Sequence, residues 1–236
     1  MKINVKGPIV TDSEKFFYDW FGIPATSPAS VNEAISKAED GEELEVEFAS
    51  NGGDVFAGSE IYTALKSYKG NTIGRIVGLA ASAASVAAMG VKILEISPTA
   101  SIMIHKASMR VGGNSTDLEH AADVLKGIDQ SIANAYEIKT GMKGNELLDL
   151  MDKETWLTAQ QAKELGFADT IMFADEFKAV ASISDDGTIP KVIMDKLKNE
   201  FKGKFENKKT EPKNENENLK NIALNLAKAQ LELLTL

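Results

Sequence analysis

The segment TIGRIVGLAASAASVAAMG, residues 72–90, changes character midway. Thr72 to Val77 is rich in β-branched residues and predicts a strand. Gly78 follows, and then a run of small residues carrying two serines, Ser82 and Ser85, predicts a helix that opens at Ser82. A helix N-terminus offers unpaired N–H groups and the positive end of the helix dipole. Negative charge developing beside Ser82 would be stabilised there. Taken alone, a serine at such a position reads as an N-cap. To act as a nucleophile it needs a base and donors for an oxyanion, which other parts of the chain would have to supply. Ser85 lies one turn further in, where a serine among alanines reads as a packing residue.

Upstream, residues 2–10 predict a first strand ending in Gly7-Pro8, and an aromatic segment, SEKFFYDWFGIPATSP, is broken by Gly22, Pro24 and Pro28. Ser30 with Glu33 predicts a capping box on a helix over 31–38. Leu44 to Phe48 alternates with period two and predicts a strand. It runs into Ser50-Asn51-Gly52-Gly53-Asp54-Val55, where paired glycines permit a sharp turn and a close backbone approach. A helix over 58–68 follows. Downstream, strands are predicted over 92–96 and 101–105, the second ending on His105.

Met109 to Asn114 then reads as a loop. Thr116 with Glu119 predicts a cap for a helix whose stripe is Leu118, Ala121, Leu125, Ile128, Ile132 and Ala135, stopped by Gly141. Helices around 145–151 and 159–165 and a strand at 171–173 complete the pattern. Repeated β-α units predict an α/β fold with much parallel pairing. Ligands in such sheets lie beyond the carboxyl ends of strands, which is where Gly52-Gly53, Ser82 and His105 all fall.

The chain has 236 residues, 43% of them apolar, which is enough for a sizeable core. A net charge of −9 argues against general nucleic-acid binding. With no cysteine there is no disulfide, thiolate chemistry or Cys-ligated zinc. The N-terminal residues show no apolar run of the secretory kind, and the most apolar window, 77–91, is short and reads as a buried helix, so no membrane association is expected. From Ser184 the composition shifts to Asp, Lys, Glu and Asn. The expected organisation is a catalytic domain over 1–182, a helical extension over 183–205, a disordered linker over 206–218 and an amphipathic helix over 219–236.

Two histidines are present. His120 falls off the apolar stripe of its helix and reads as a surface residue. His105, where an apolar strand ends, is the available general base. For an acid behind it, Asp152, Glu154 and Asp169 all lie in the last α/β unit. Ala80 and Ala84 replace the glycines of a G-x-S-x-G elbow, which argues against an α/β-hydrolase.

In combination these motifs resemble the Clp protease family: SNGGDVFAG over 50–58, GLAASAA over 78–84, SIMIH over 101–105, and WLTA at 156–159 with ELGFAD at 164–169. The DWFG, NGGDVFAG, GLAASAAS and ETWLTA segments are similar to those of ClpP-like phage head maturation (prohead) proteases. The resemblance covers roughly residues 3–173 and implies a ClpP/crotonase-like fold. It further implies Ser82 as nucleophile, His105 as general base, and an oxyanion hole from Gly52, Gly53 and the Ala83 N–H. Glu154 stands where the family has its triad Asp, with Asp152 as the alternative, and Asn51 replaces the proline usual before the glycines. The resemblance implies no metal or other cofactor, ATP-independent cleavage of capsid or scaffold proteins, and a homo-oligomeric ring whose layers pack through the Leu118–Ala135 stripe. The setting would be a phage host's cytoplasm, within the assembling prohead. Two other readings are compatible with the sequence: a crotonase-type acyl-CoA enzyme, which leaves Ser82 without a role, and a non-catalytic shell or scaffolding protein acting through its tail.

Overall fold

The structure, a computed structural model, describes residues 1–174. The expected extension, linker and terminal helix, with the last residues of the 1–182 domain, lie outside the described residues. In chain order the elements are β1 (Lys2–Lys6), α1 (Asp12–Trp20), α2 (Pro28–Ser36), β2 (Leu44–Ser50), α3 (Val55–Ser67), β3 (Thr72–Ala81), α4 (Ala83–Ala88), β4 (Ile93–Ile96), β5 (Ser101–Ile104), α5 (Ser115–Thr140), α6 (Gly144–Asp152), β6 (Thr155–Thr158), α7 (Ala159–Glu164) and β7 (Thr170–Ile171).

The sheet runs β1-β2-β3-β4-β7, all parallel, as the β-α alternation predicts. The period-two pattern of β2 buries Leu44, Val46 and Phe48 on one face, within a core shared with Ile61 and Leu65 of α3 and with α4. The other face carries charge in cross-strand rows. Glu47 accepts from Lys2 and Lys6 of β1, and Arg75 of β3 pairs with both Glu45 of β2 and Glu95 of β4.

β3 organises the site because it changes partner along its length. Ile73–Ile76 pair with β4, whereas Leu79–Ala81 pair with β5. The register against β2 shifts between Phe48 and Ser50, a β-bulge around Gly78, after which Ala80 still pairs with Ser50. β5 pairs in turn with β6, antiparallel. The strand thus continues four residues past Val77. The small residues of 78–81 have little strand propensity of their own; pairing with β2 and β5 holds them extended.

Other local differences have similar causes. The DSEKFFYDW segment is helical, capped by Thr11 and Glu14, and none of its residues is buried. An outward-facing aromatic set leaves no core stripe in the sequence. α2 starts three residues earlier than its predicted span, with Ser27 and Ser30 as the capping pair and Pro28 at its first position. α5 is capped by Asn114 and Asp117, not Thr116 and Glu119. Both pairs match the same spacing two residues apart, and the Asn114–Asp117 pair is the one whose reciprocal side-chain bonds form. Residues 155–158, ahead of the helix expected over 159–165, form a strand. Along the α5 stripe Ala121, Ile132 and Ala135 are buried and Leu125 and Ile128 half-buried, while Leu118 is 48% exposed.

Candidate active site

The β3–β5 register places Ala81 opposite Met103, so the residues that follow each strand meet. The Ser82 N–H extends the ladder by donating to the Met103 carbonyl at 2.9 Å. Its own carbonyl turns into the first turn of α4, accepting from the N–H groups of Ser85 at 2.9 Å and Val86 at 3.3 Å. Ser82 is the single residue between β3 and α4, and it makes that junction at φ 55°, ψ −127°. This lies outside the regions an L-residue ordinarily occupies and costs about 1–3 kcal/mol. The strain has a geometric product: Ser82 makes no side-chain capping bond, and its Oγ lies 2.7 Å from His105 Nε2. The N-cap alternative is therefore not realised, although Ser82 occupies the N-cap position.

The glycine turn closes around this elbow. A Cβ on Gly52 (φ +91°) would sit 2.6 Å from the Ala81 carbonyl oxygen and 2.7 Å from Ser82 Cβ. One on Gly53 (φ +150°) would sit 2.1 Å from the Ile9 carbonyl oxygen. Both positions admit only glycine. The two differ in what their N–H groups do. The Gly52 N–H donates to Ser50 Oγ at 3.1 Å, whereas those of Gly53 and Ala83 have no acceptor among the described residues. Of the three expected oxyanion donors, the geometry leaves Gly53 and Ala83 free. A cleft of about 440 Å³ opens beside them, its floor at Ser82, Ala83 and His105 and its flanks largely apolar, including Val86, Met103, Ile128 and Ile132.

The expected acid is not at His105. Asp152 Oδ1 pairs with Lys106 Nζ at 2.7 Å, and this bond, then the ammonium's charge, holds its carboxyl below the ordinary range. Glu154 accepts from Trp156 Nε1 at 3.3 Å and has φ 49°. Asp169 accepts from the Leu94 N–H at 2.6 Å and pairs with Lys139, beside β4. Among the described residues no hydrogen bond reaches His105 Nδ1. Beyond His105 the Lys106 N–H donates to the Met151 carbonyl and the Ala107 N–H to Asp129 Oδ1 at 2.8 Å, while the Asp152 and Glu154 carboxylates keep the partners just named.

Two residues around the site, Asp129 and Tyr136, lie outside the motifs read from the sequence, and a third, Ser85, does more than its sequence setting indicates. Asp129, 7% exposed, ties α5 to the segment after His105. Ser85 is more than a packing residue: its Oγ donates to the Ser82 carbonyl at 2.7 Å and meets Tyr136 Oη at 2.7 Å. A tyrosine next to the buried end of an apolar stripe is the one signal that could have flagged this, since a buried phenol needs a partner.

A strained serine bonded to histidine, with two free N–H groups alongside, is an arrangement that can carry acyl transfer by a serine nucleophile. Residues 33–175 match the Clp protease family. The chain is 32% identical over 176 residues to the "ATP-dependent Clp protease proteolytic subunit 1" of Chlamydia muridarum, covering 69% of this chain and 88% of the relative. It is 35% identical over 132 residues to the protein of the same name from Chlamydia abortus, covering 53% and 67%. The Streptomyces avermitilis protein of that name is 32% identical over 138 residues, covering 56% and 63%. The fold and the comparisons define a serine peptidase, and the chain belongs to the Clp protease family.

Proposed function

We propose that this protein is an endopeptidase that cleaves capsid or scaffold proteins during phage head assembly, without ATP, as a homo-oligomeric ring in the host cytoplasm. The observation that carries the chemistry is the 2.7 Å contact between Ser82 Oγ and His105 Nε2. His105 takes the Ser82 proton as Oγ attacks the peptide carbonyl carbon. The Gly53 and Ala83 N–H groups receive the oxyanion. The imidazolium returns its proton to the departing amine, and water then cleaves the acyl-enzyme by the same route. Glu154 is the proposed acid orienting His105 in the working state, with Asp152 as the alternative. The exposed Leu118 at the start of the α5 stripe, with the exposed Val124 on the same helix, supports assembly through that helix.

The phage assignment rests on the DWFG, NGGDVFAG, GLAASAAS and ETWLTA segments. The relatives are named as subunits of ATP-dependent proteases, so nucleotide independence is a point at which this chain would differ. A crotonase-type activity would leave the Ser82–His105 bond without a purpose.

Fluorophosphonate labelling tests the chemistry: the modified peptide maps to Ser82, and labelling elsewhere, or none, refutes the mechanism. Incubation with purified phage capsid or scaffold protein, without nucleotide, tests the substrate. Discrete cleavage is expected, and a requirement for ATP and an unfoldase would overturn that part.

A further inference from the structure

Ser85 and Tyr136 form a buried chain of hydroxyls that ends on the nucleophile's own peptide group. Ser85 is fully buried on α4 and Tyr136 fully buried on α5. The proton positions follow by elimination. The Ser82 carbonyl can only accept, so Ser85 Oγ–H donates to it, at 2.7 Å. Ser85 then has lone pairs to offer, and Tyr136 Oη–H, also 2.7 Å away, donates to Ser85 Oγ. Burial pushes the Tyr136 phenol well above its ordinary pKa, against a smaller lowering by its Ser85 bond, so it keeps its proton at every working pH.

The carbonyl at the end of this chain has a particular neighbour. The peptide unit joining Ser82 to Ala83 is planar, with its C=O and N–H pointing in opposite directions. Rotation about ψ of Ser82 therefore moves both groups together. One edge of the plane holds the carbonyl, which accepts from Ser85 Oγ–H at 2.7 Å and from the Ser85 and Val86 N–H groups at 2.9 and 3.3 Å; the other holds the Ala83 N–H, which has no acceptor among the described residues and belongs to a residue lining the cleft. Because Ser82 is held at φ 55°, outside the usual regions, the bonds on its carbonyl matter to the orientation of this plane, and the Ser85 hydroxyl adds a side-chain bond to the two backbone ones.

We propose that Ser85 and Tyr136 are positioning residues: the relay Tyr136 → Ser85 → Ser82 carbonyl sets the 82–83 peptide plane and thereby aims the Ala83 N–H at the oxyanion. The proposal rests on the serine-protease reading of Ser82. It also ties the aim of an oxyanion donor to α5, so a shift of Tyr136 along that helix would be felt at the reacting carbonyl.

The test uses the full chain and Tyr136→Phe, which keeps the ring against Phe167 and removes only the hydroxyl. Activity on a fluorogenic peptide is normalised to sites titrated with a fluorophosphonate, so misfolded protein does not count. Removing an oxyanion donor outright costs about 10²–10³ in kcat; misaiming one should cost less, about tenfold. The expected result is that loss in kcat, an equal weakening of a peptide aldehyde whose adduct carries the oxyanion, and KM within about twofold of wild type. Ser85→Ala should lose at least as much, and the double variant no more than Ser85→Ala. Unchanged kcat per titrated site, with or without a lower melting temperature, overturns the inference. If wild-type Ser82 takes no label, the protease reading fails separately. The relay is then judged by the Ala83 amide resonance of ¹⁵N-alanine-labelled protein, which must move in Tyr136→Phe; a stationary resonance overturns it.

Discussion

The two sides of His105 are built differently. On the Nε2 side, the Ser82 N–H and carbonyl both have partners, the paired glycines fit against the elbow, and a buried hydroxyl chain stands behind it. On the Nδ1 side, both carboxylates are on the surface and engaged elsewhere, Asp152 with Lys106 and Glu154 with the Trp156 indole. Serine presentation thus follows from the packing of one chain, with the strain offset by the surrounding core. The orienting acid is not placed by that packing. In the proposed mechanism, a carboxylate of the 152–154 segment would have to exchange its present partner for His105 Nδ1.

Ser82→Ala should produce the largest effect, a loss of more than about 10⁴ in kcat with the folded state intact, read from peptide cleavage and circular dichroism. Retained activity would remove the basis for calling that half finished. Next comes Gly53→Ala. Its methyl group would meet the Ile9 carbonyl oxygen, at a φ that L-residues rarely adopt, so thermal denaturation should show at least about 2 kcal/mol of lost stability along with lost activity. A neutral result would mean that the turn is loose, as the acid side is.

The acid side is sharpened by paired variants. Glu154→Gln should lower kcat by about 100-fold or more, and Asp152→Asn by less than about tenfold, because Lys106 already holds Asp152. The reverse order in steady-state kinetics would assign the role to Asp152.

The smallest effect is expected from Lys106→Met. Asp152 is held below its ordinary pKa by the Lys106 bond and charge. A depressed carboxyl contributes favourably above its unfolded pKa, and the contribution disappears as pH falls through the folded value. Loss of Lys106 should move the Asp152 titration back up toward the ordinary value, seen by carboxyl ¹³C resonance, with little change in melting temperature above pH 5. A titration that stays low would mean that another cation holds Asp152.

Much of this was legible beforehand because it depends on sequence order. Strand ends carrying Gly52-Gly53, Ser82 and His105 must converge if the sheet is parallel, so their meeting could be expected without coordinates. The Ser85–Tyr136 contact joins residues far apart in sequence on two helices, and helix periodicity does not specify which helices face each other. α1 carried no core stripe because it contributes nothing to the core. The acid was hardest to read, since the sequence around 152–154 offers two carboxylates two residues apart and the fold places neither at the imidazole.

The chain has two tryptophans, Trp20 in α1 and Trp156 in β6, and both are exposed, at 75% and 54%. Their intrinsic fluorescence is therefore a poor gauge of unfolding, since each indole already meets water in the native subunit. It is a sensitive gauge of coverage. Trp20 would report whatever settles on the aromatic face of α1, and Trp156 any rearrangement of the Glu154 side chain that it contacts. Single Trp→Phe replacements would separate the two signals without labels.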